Sequence, residues 1–226
     1  MSKIQENLKK ILEMIPKNVK LVAVSKFHPA EEVIEAIKAG QNLFGENRVQ
    51  EAAQKFDEIR NAGFSPELHI IGSLQRNKVK EAVRISSMIE SVDRIELLNE
   101  IEKQCSKINK KIQILFEIHT GEESKSGFTA KTDLEEAVQN FRAGMYPHIE
   151  IKGFMTMAPF SQDTELVRKS FSTLKKLQQE FAGKFSEFDF SELSMGMSGD
   201  YKIAIEEGST MVRIGTAIFG ERNYSK

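Results

Sequence analysis

The most informative segment of this sequence is Leu21-Val-Ala-Val-Ser-Lys-Phe-His-Pro29, a short apolar run that ends on a lysine and is closed by a proline. A strand that is buried on both faces of a parallel sheet consists of continuous aliphatic residues, and Leu21 to Val24 fits that pattern. The carboxyl ends of such strands carry the ligand sites of parallel α/β folds. The segment therefore predicts a buried first strand with Lys26 at the functional end of a sheet.

Lys26 has two interpretations. Loss of solvation in apolar surroundings lowers the pKa of an amine and makes it a nucleophile toward aldehydes. The alternative is a strand-end lysine whose flexible stem carries its charge out to solvent. Residues elsewhere in the chain decide between the two.

Length and composition restrict the class of protein. A chain of 226 residues with 40% hydrophobic residues suits one domain, 1–226, built as an α/β barrel or a doubly wound sheet. The formal net charge of -1 gives no field that favours nucleic acid or an anionic membrane. Without a signal-peptide or membrane-spanning pattern, the chain is expected to be cytoplasmic. The single cysteine, Cys105, excludes an internal disulfide, and no metal-ligand pattern is present.

Apolar β-rich runs alternate with helical periodicity along the whole chain. Ile4, Leu8, Ile11 and Leu12 predict an amphipathic helix before the first strand. The strands are predicted at residues 21–24, 42–47, 68–74, 88–92, 112–118, 149–157, 193–197 and 211–219. This count predicts a closed (β/α)8 TIM barrel with an extra N-terminal helix; an open sheet of fewer strands is the alternative.

Right-handed crossovers bring the carboxyl ends of all barrel strands to one face. The predicted strand ends collect on this rim the residues Lys26, Asn47, His69, His119, Ser198 and Arg213. This set combines an amine, an arginine and hydrogen-bonding side chains, so it indicates a ligand site.

Two segments near the C-terminus are typical of phosphate binding. Met195-Gly-Met-Ser-Gly-Asp200 is a glycine-spaced turn before a short helix, although such turns often only connect elements. In Arg213-Ile-Gly-Thr216 the glycine allows close approach of the backbone, and the arginine must be paired or face a ligand. Together with Lys26, these segments predict an aldehyde that carries a phosphate: pyridoxal 5'-phosphate (PLP), held by Lys26 as a Schiff base.

The amino-acid sequences of these and other segments resemble those of the pyridoxal phosphate homeostasis protein family. The resemblance covers nearly the whole chain. It is carried by Val-Ala-Val-Ser-Lys26, Phe-Gly-Glu-Asn47-Arg-Val-Gln-Glu51, His69-Ile-Ile-Gly-Ser-Leu-Gln75-Arg-Asn-Lys78, Ser124-Lys-Ser-Gly127, Gly153-Phe-Met-Thr-Met157, Leu193-Ser-Met-Gly-Met-Ser198 and Gly208-Ser-Thr-Met-Val-Arg-Ile-Gly-Thr-Ala-Ile-Phe-Gly220. It implies a barrel of the alanine racemase N-terminal type, in a small protein that binds PLP without an established turnover reaction.

The resemblance also assigns roles to individual residues. Lys26 would be the Schiff-base lysine, Arg213 the partner of the pyridine nitrogen, and Asn47 and His69 neighbours of the ring. The phosphate ligands would be Ser198, Gly215 and Thr216. The chain departs from the family pattern at His119, where an asparagine is expected, and at Leu68, where a tryptophan is common.

A binding role is expected rather than turnover. A ring nitrogen that faces an arginine stays unprotonated, which makes PLP a weaker electron sink. Two-base racemisation also needs a second proton carrier, and the tyrosines Tyr146, Tyr201 and Tyr224 are not at predicted strand ends.

We therefore expect a monomeric, non-catalytic carrier or reservoir in vitamin B6 homeostasis that passes PLP to apo-enzyme acceptors. Lys125 is either a second cofactor-accepting amine or a solvated loop charge. The alternatives are a small PLP-dependent amino-acid racemase or lyase, and a barrel that binds another phosphorylated metabolite.

Overall fold

Eight parallel strands form a closed barrel in the computed structural model, which describes residues 2–121 and 126–221. The strands follow one another around the barrel in chain order, which confirms the predicted (β/α)8 fold. Their bounds are β1 Lys20–Val24, β2 Leu43–Glu46, β3 Glu67–Ile70, β4 Met88–Val92, β5 Ile112–Glu117, β6 Ile149–Met155, β7 Glu192–Ser194 and β8 Met211–Ile214.

Helices alternate with these strands, and α1 precedes them as predicted. Ser2 caps α1 by accepting a hydrogen bond from the backbone of Gln5, whose side chain bonds back to the Ser2 backbone. The helix bounds are α1 Lys3–Met14, α2 Ala30–Lys38, α3 Val49–Asn61, α4 Val79–Ile85, α5 Ile95–Ile108, α6 Lys131–Arg142, α7 Thr164–Lys184, α8 Tyr201–Glu206 and α9 Thr216–Phe219, with a 3-10 turn at Arg76–Lys78. No helix in the described ranges is long and apolar enough to cross a membrane.

The barrel closes where β1 pairs with β8, with Val22 opposite Arg213. This pairing rules out the alternative of an open sheet. Side chains alternate between the two faces of each strand. On β5, Phe116 points outward and packs edge-on against Phe128, whereas its neighbour Leu115 lies in a small interior cluster. The main hydrophobic core therefore lies between the strands and the helices, and the barrel interior has its own lining.

Six of the eight strands end earlier than the sequence predicts, three of them by three or more residues. The third ends at Ile70 and the seventh at Ser194. The eighth ends at Ile214, and the residues after Gly215 form the short helix α9. Ile, Thr and Phe in this segment favour a strand locally, but the backbone bends at Gly215, whose φ is -117° and ψ -76°. The bend places Thr216 at the rim of the barrel.

Candidate functional site

Lys26 lies in a turn just beyond the carboxyl end of β1. Ser25 before it is fully buried, and Lys26 itself is partly exposed. Phe27 after it has a φ of 67°, in the left-handed region that bulky residues rarely adopt. His28 is buried, with its ring stacked on Phe219 at 4.9 Å between centroids. We call residues 25–28 the Lys26 turn.

Side chains from β2 and α3 form hydrogen bonds with the Lys26 turn. The Ser25 hydroxyl donates to Glu46 Oε1 at 2.7 Å. Lys55 Nζ donates to the Ser25 carbonyl oxygen at 2.7 Å and to Glu46 Oε1 at 2.8 Å. The Phe27 N–H donates to Glu51 Oε1 at 2.8 Å. The turn is therefore fixed through its backbone as well as through its side chains.

The Gly215–Thr216 segment packs directly against the end of β1. A Cβ atom added to Gly215 would lie 3.0 Å from the Val24 carbonyl oxygen and 3.3 Å from the Val24 Cβ. Only glycine allows the two backbones to approach so closely. Thr216 is exposed, so the start of α9 and the Lys26 turn are neighbouring surfaces of one rim.

Ser198 lies in the loop between β7 and α8. The loop is tied to β8, because the Arg213 N–H donates to the Gly196 carbonyl at 2.9 Å. Gly196 has a φ of 96°, and an added Cβ would lie 2.6 Å from the Cβ of Ala204. The Ser198 side chain is partly exposed in this loop, beside the strand that leads into Gly215.

Arg213 is buried inside the barrel and paired with protein groups. Its Nη1 donates to the Ser194 hydroxyl at 2.7 Å and its Nη2 to the Thr156 carbonyl at 2.8 Å. Ser194 Oγ lies 2.5 Å from Glu90 Oε2, and Glu90 Oε1 lies 2.6 Å from His69 Nδ1. We call these five residues the interior polar chain; it crosses the barrel from β8 to β3.

Charges compensate one another along the interior polar chain. Burial opposes ionisation of Glu90, but hydrogen bonds and charge from His69, the charge of Arg213 and the Ser194 hydroxyl together hold the pKa of Glu90 below its usual range. Burial lowers the pKa of Arg213, and the charges of Glu90 and Glu117 oppose that effect. A guanidinium keeps its proton near neutrality even so.

Besides Glu46 Oε2, on the helix side of β2, two buried oxygens at the rim have no hydrogen-bond partner within the part of the chain that the structure describes. One is Glu117 Oε2; the other oxygen of this carboxyl accepts from the Ser126 hydroxyl at 2.8 Å. Burial raises the pKa of Glu117, against the lowering effect of Ser126. The second is Asn47 Oδ1. Asn47 follows β2 and packs on Gly72, where an added Cβ would lie 2.8 Å from the Asn47 Cα.

The predicted site residues fall into two groups. Gly215 packs on Val24, two residues before Lys26, Thr216 follows it at the rim, and Ser198 lies in the adjoining loop. Arg213 and His69 belong to the buried interior polar chain instead. His119 follows β5, where its N–H donates to the Phe128 carbonyl at 3.1 Å. Lys125 and Tyr224 lie outside the described residues.

Sequence reasoning missed the acidic members of the site. Glu90 and Glu117 are charged residues within apolar strands. Each lies two residues after an interior residue, Met88 or Leu115, and because the side chains of a strand alternate between its two faces, both carboxylates point inward. Lys55 was also missed, although it shares the apolar face of α3 with buried neighbours. A charge at a position that periodicity assigns to the interior is the signal that could have found all three.

Two tyrosines considered as proton carriers are engaged elsewhere. The Tyr146 hydroxyl donates to Asn99 Oδ1 at 2.9 Å, and the Tyr201 hydroxyl lies 3.6 Å from the sulfur of Met14. Both residues are buried within the outer hydrophobic core.

Fold and site together define a (β/α)8 barrel whose C-terminal rim carries an amine beside a glycine-lined turn. The sequence profile of the family described as alanine racemase, N-terminal domain, matches residues 1–223. An alanine racemase structure from Bacillus anthracis superimposes with a TM-score of 0.75 at 17% identity, over 99% of this chain and 57% of that one. At that identity the likeness establishes the fold.

Closer relatives share both sequence and length. The pyridoxal phosphate homeostasis protein of Vibrio alginolyticus is 39% identical over the full length of both chains. The structure of PipY from Synechococcus elongatus, determined with PLP bound, is 32% identical with a TM-score of 0.89, over 96% of this chain and 100% of that one. The chain belongs to the pyridoxal phosphate homeostasis protein family.

Proposed function

We propose that this protein binds pyridoxal 5'-phosphate at the C-terminal rim of the barrel and acts as an intracellular carrier or reservoir of the cofactor. The observation that carries the proposal is the contact between Gly215 and the end of β1, which makes the Gly215–Thr216 segment a neighbour of the Lys26 turn. An amine and a phosphate-binding turn then share one rim. The similarity to PipY, whose structure was determined with PLP bound, supports the same ligand.

The chemistry of the rim suits each part of this ligand. The Lys26 amine is suited to an imine bond with the aldehyde carbon, with loss of water. Gly215 leaves room for a phosphate beside the backbone, and the Thr216 and Ser198 hydroxyls are suited to donate to it. The buried Asn47 Oδ1, which lacks a partner among the described residues, is suited to accept a hydrogen bond from the ligand.

The environment of Arg213 favours storage of PLP over a catalytic role. PLP, when bound, supplies an aldehyde and an electron-withdrawing ring. Arg213 is held as a charged guanidinium by Ser194, Thr156 and the nearby Glu90, so it is suited to donate to a ring nitrogen but not to protonate it. The ring remains a weak electron sink, which argues against transamination and decarboxylation. Tyr146 and Tyr201 are engaged with Asn99 and Met14, so neither is available as a second proton carrier.

A small amino-acid racemase is the second candidate, and one observation favours it. Glu117 faces the barrel interior, and burial raises the pKa of its carboxyl, which is the direction that a general acid requires. Incubation with single enantiomers of alanine and serine in deuterated water separates the two functions. Deuterium at Cα with loss of enantiomeric purity supports the racemase; unchanged amino acids support the carrier.

The covalent link is tested by reduction. Wild-type protein treated with PLP and then borohydride is expected to gain the mass of one reduced cofactor, located by peptide mapping on Lys26. Lys26→Ala should gain none, whereas Lys80→Ala, which removes an exposed lysine on α4, should behave as wild type. A wild-type protein with no adduct would contradict the proposal.

Delivery is tested separately, with an apo-enzyme that requires PLP. The loaded protein is expected to activate the apo-enzyme with the loss of one equivalent of its own cofactor absorbance. A trap for free PLP in the solution distinguishes direct transfer from release. Activation that the trap abolishes would show a reservoir rather than a carrier.

A further inference from the structure

A second lysine, Lys55, lies directly beneath the Lys26 turn. We propose that Lys55, together with Glu46 and Glu51, is a positioning group that holds the Lys26 turn in the conformation needed for covalent capture of the cofactor. This inference rests on the proposed function. It assigns a role to residues of β2 and α3 that do not themselves touch the ligand.

One contact of Lys55 is to the peptide that precedes Lys26, and the other two are to carboxylates that also accept hydrogen bonds from the Lys26 turn. Lys55 Nζ donates to the Ser25 carbonyl at 2.7 Å and to Glu46 Oε1 at 2.8 Å, and lies 3.6 Å from Glu51 Oε1. The Ser25 hydroxyl donates to the same Glu46 oxygen at 2.7 Å. Lys55 Nζ thus donates two hydrogen bonds, and the Glu51 carboxylate lies at ion-pair distance beside it. Both polar groups of Ser25 are thus tied to one buried ion pair.

The ion pair lies outside the barrel wall, between β2 and α3. Gly45 faces the interior, because an added Cβ would meet Val22 and Ile71, and the next residue, Glu46, therefore faces the helix. Lys55 is 6% exposed and Glu46 is fully buried. Lys55 is consequently placed to act on Lys26 through the backbone, and not as a second cofactor-accepting amine.

The backbone of the Lys26 turn requires such support. Phe27 has a φ of 67°, and a bulky residue stays in that region only where its surroundings fix it. Glu51 accepts the Phe27 N–H at 2.8 Å, and the Arg48 guanidinium lies 4.8 Å from the centre of the Phe27 ring. Without Lys55 the Ser25 carbonyl and Glu46 lose their common donor, and the turn is free to relax away from this conformation.

The experiment separates covalent capture from recognition of the ligand. Lys55→Met and the control Lys80→Met are compared with wild type in the rate of PLP uptake, followed by absorbance and by borohydride trapping. Affinity for pyridoxine 5'-phosphate, which carries an alcohol in place of the aldehyde, is measured alongside. Lys55→Met should slow covalent uptake roughly 10- to 100-fold, because a misplaced nucleophile loses that order of rate. Its affinity for pyridoxine 5'-phosphate should stay within about twofold of wild type.

Three further variants separate the positioning role from loss of folding. Lys55→Met/Glu46→Leu removes both charges, so no buried carboxylate is left unpaired, and it should show the same selective loss of uptake. Glu51→Gln keeps an acceptor for the Phe27 N–H and should retain most of the uptake rate, whereas Glu51→Ala should reduce it.

Normal uptake in the double variant, or an equal loss of PLP and pyridoxine 5'-phosphate binding, would overturn the role of Lys55. A wild-type protein that forms no adduct would instead overturn the proposed function itself.

Discussion

Arg213 of β8 and Glu90 of β4 are bridged by a single hydroxyl, that of Ser194, although their strands lie on opposite sides of the barrel. The hydroxyl accepts from the guanidinium at 2.7 Å and donates to the carboxylate at 2.5 Å. A buried cation is tolerated where an anion and hydrogen bonds compensate it. The charge state of Glu90 is therefore coupled to the stability of the barrel interior.

Replacement of Glu90 by Gln should lower the free energy of unfolding by about 3–5 kcal/mol at pH 7, because Arg213 loses its buried counter-charge. The pKa of Glu90 is below its usual range in the folded protein. Ionised Glu90 therefore stabilises the fold above about pH 4.3, the ordinary pKa of a glutamate, and this stabilisation is lost as the pH falls further. The difference in unfolding free energy between the variant and wild type should thus become smaller at low pH. Urea unfolding from pH 3 to pH 8 measures it, with Glu150→Gln, an exposed site on β6, as control. A pH-independent difference would contradict the coupling.

Replacement of Glu117 by Gln should raise the free energy of unfolding at pH 7, which is the opposite of the effect of Glu90→Gln. Burial raises the pKa of Glu117, so ionising it in the folded protein lowers stability as pH rises above about 4.3, its unfolded value. The variant keeps an acceptor for Ser126 and removes the buried charge. It should be more stable than wild type by about 1 kcal/mol at pH 7 and equal to it at pH 4. Thermal unfolding at the two pH values tests this, and a variant less stable at pH 7 would show that Glu117 is needed as an anion beside Arg213.

Gly215→Ala should affect both the fold and the ligand. The added methyl group would lie 3.0 Å from the Val24 carbonyl, so the two segments must separate, at a cost of about 1–2 kcal/mol in unfolding free energy. Affinity for pyridoxine 5'-phosphate should fall as the rim widens. Gly183→Ala is the matched control, since it lies in α7 with nothing within 4 Å of an added Cβ and should gain about 0.5–1 kcal/mol. Unchanged ligand affinity in Gly215→Ala would argue against a phosphate beside Gly215.

The sequence predicted the barrel because each strand is a distinct apolar run. Met88–Val92 was bounded correctly, since polar residues flank it on both sides. The end of β8 was wrong, because Ile214 to Phe219 favours a strand locally and the bend at Gly215 arises from its contact with β1.

The sequence showed which residues lie at or near the carboxyl ends of the strands, but not which side chains they pair with. Arg213 was expected to be paired or to face a ligand, and the partners Ser194 and Thr156 come from two other strands, 19 and 57 residues away in the chain. Lys55 was hidden for a different reason. Gln54 precedes it and Asp57 and Glu58 follow close behind, and only the helical period shows that it shares a face with the buried Ala52 and Ile59.

Pairing of β1 with β8 leaves none of the eight described strands with an unpaired edge. Proteins that join through their sheets do so by adding a strand to such an edge, and here that route is closed. In the proposed carrier role, a recipient protein would instead meet the loops above the strand ends, where Thr216 is exposed and Lys26 is partly exposed. Transfer of the cofactor in that role would proceed through contact between loops and not through a shared sheet.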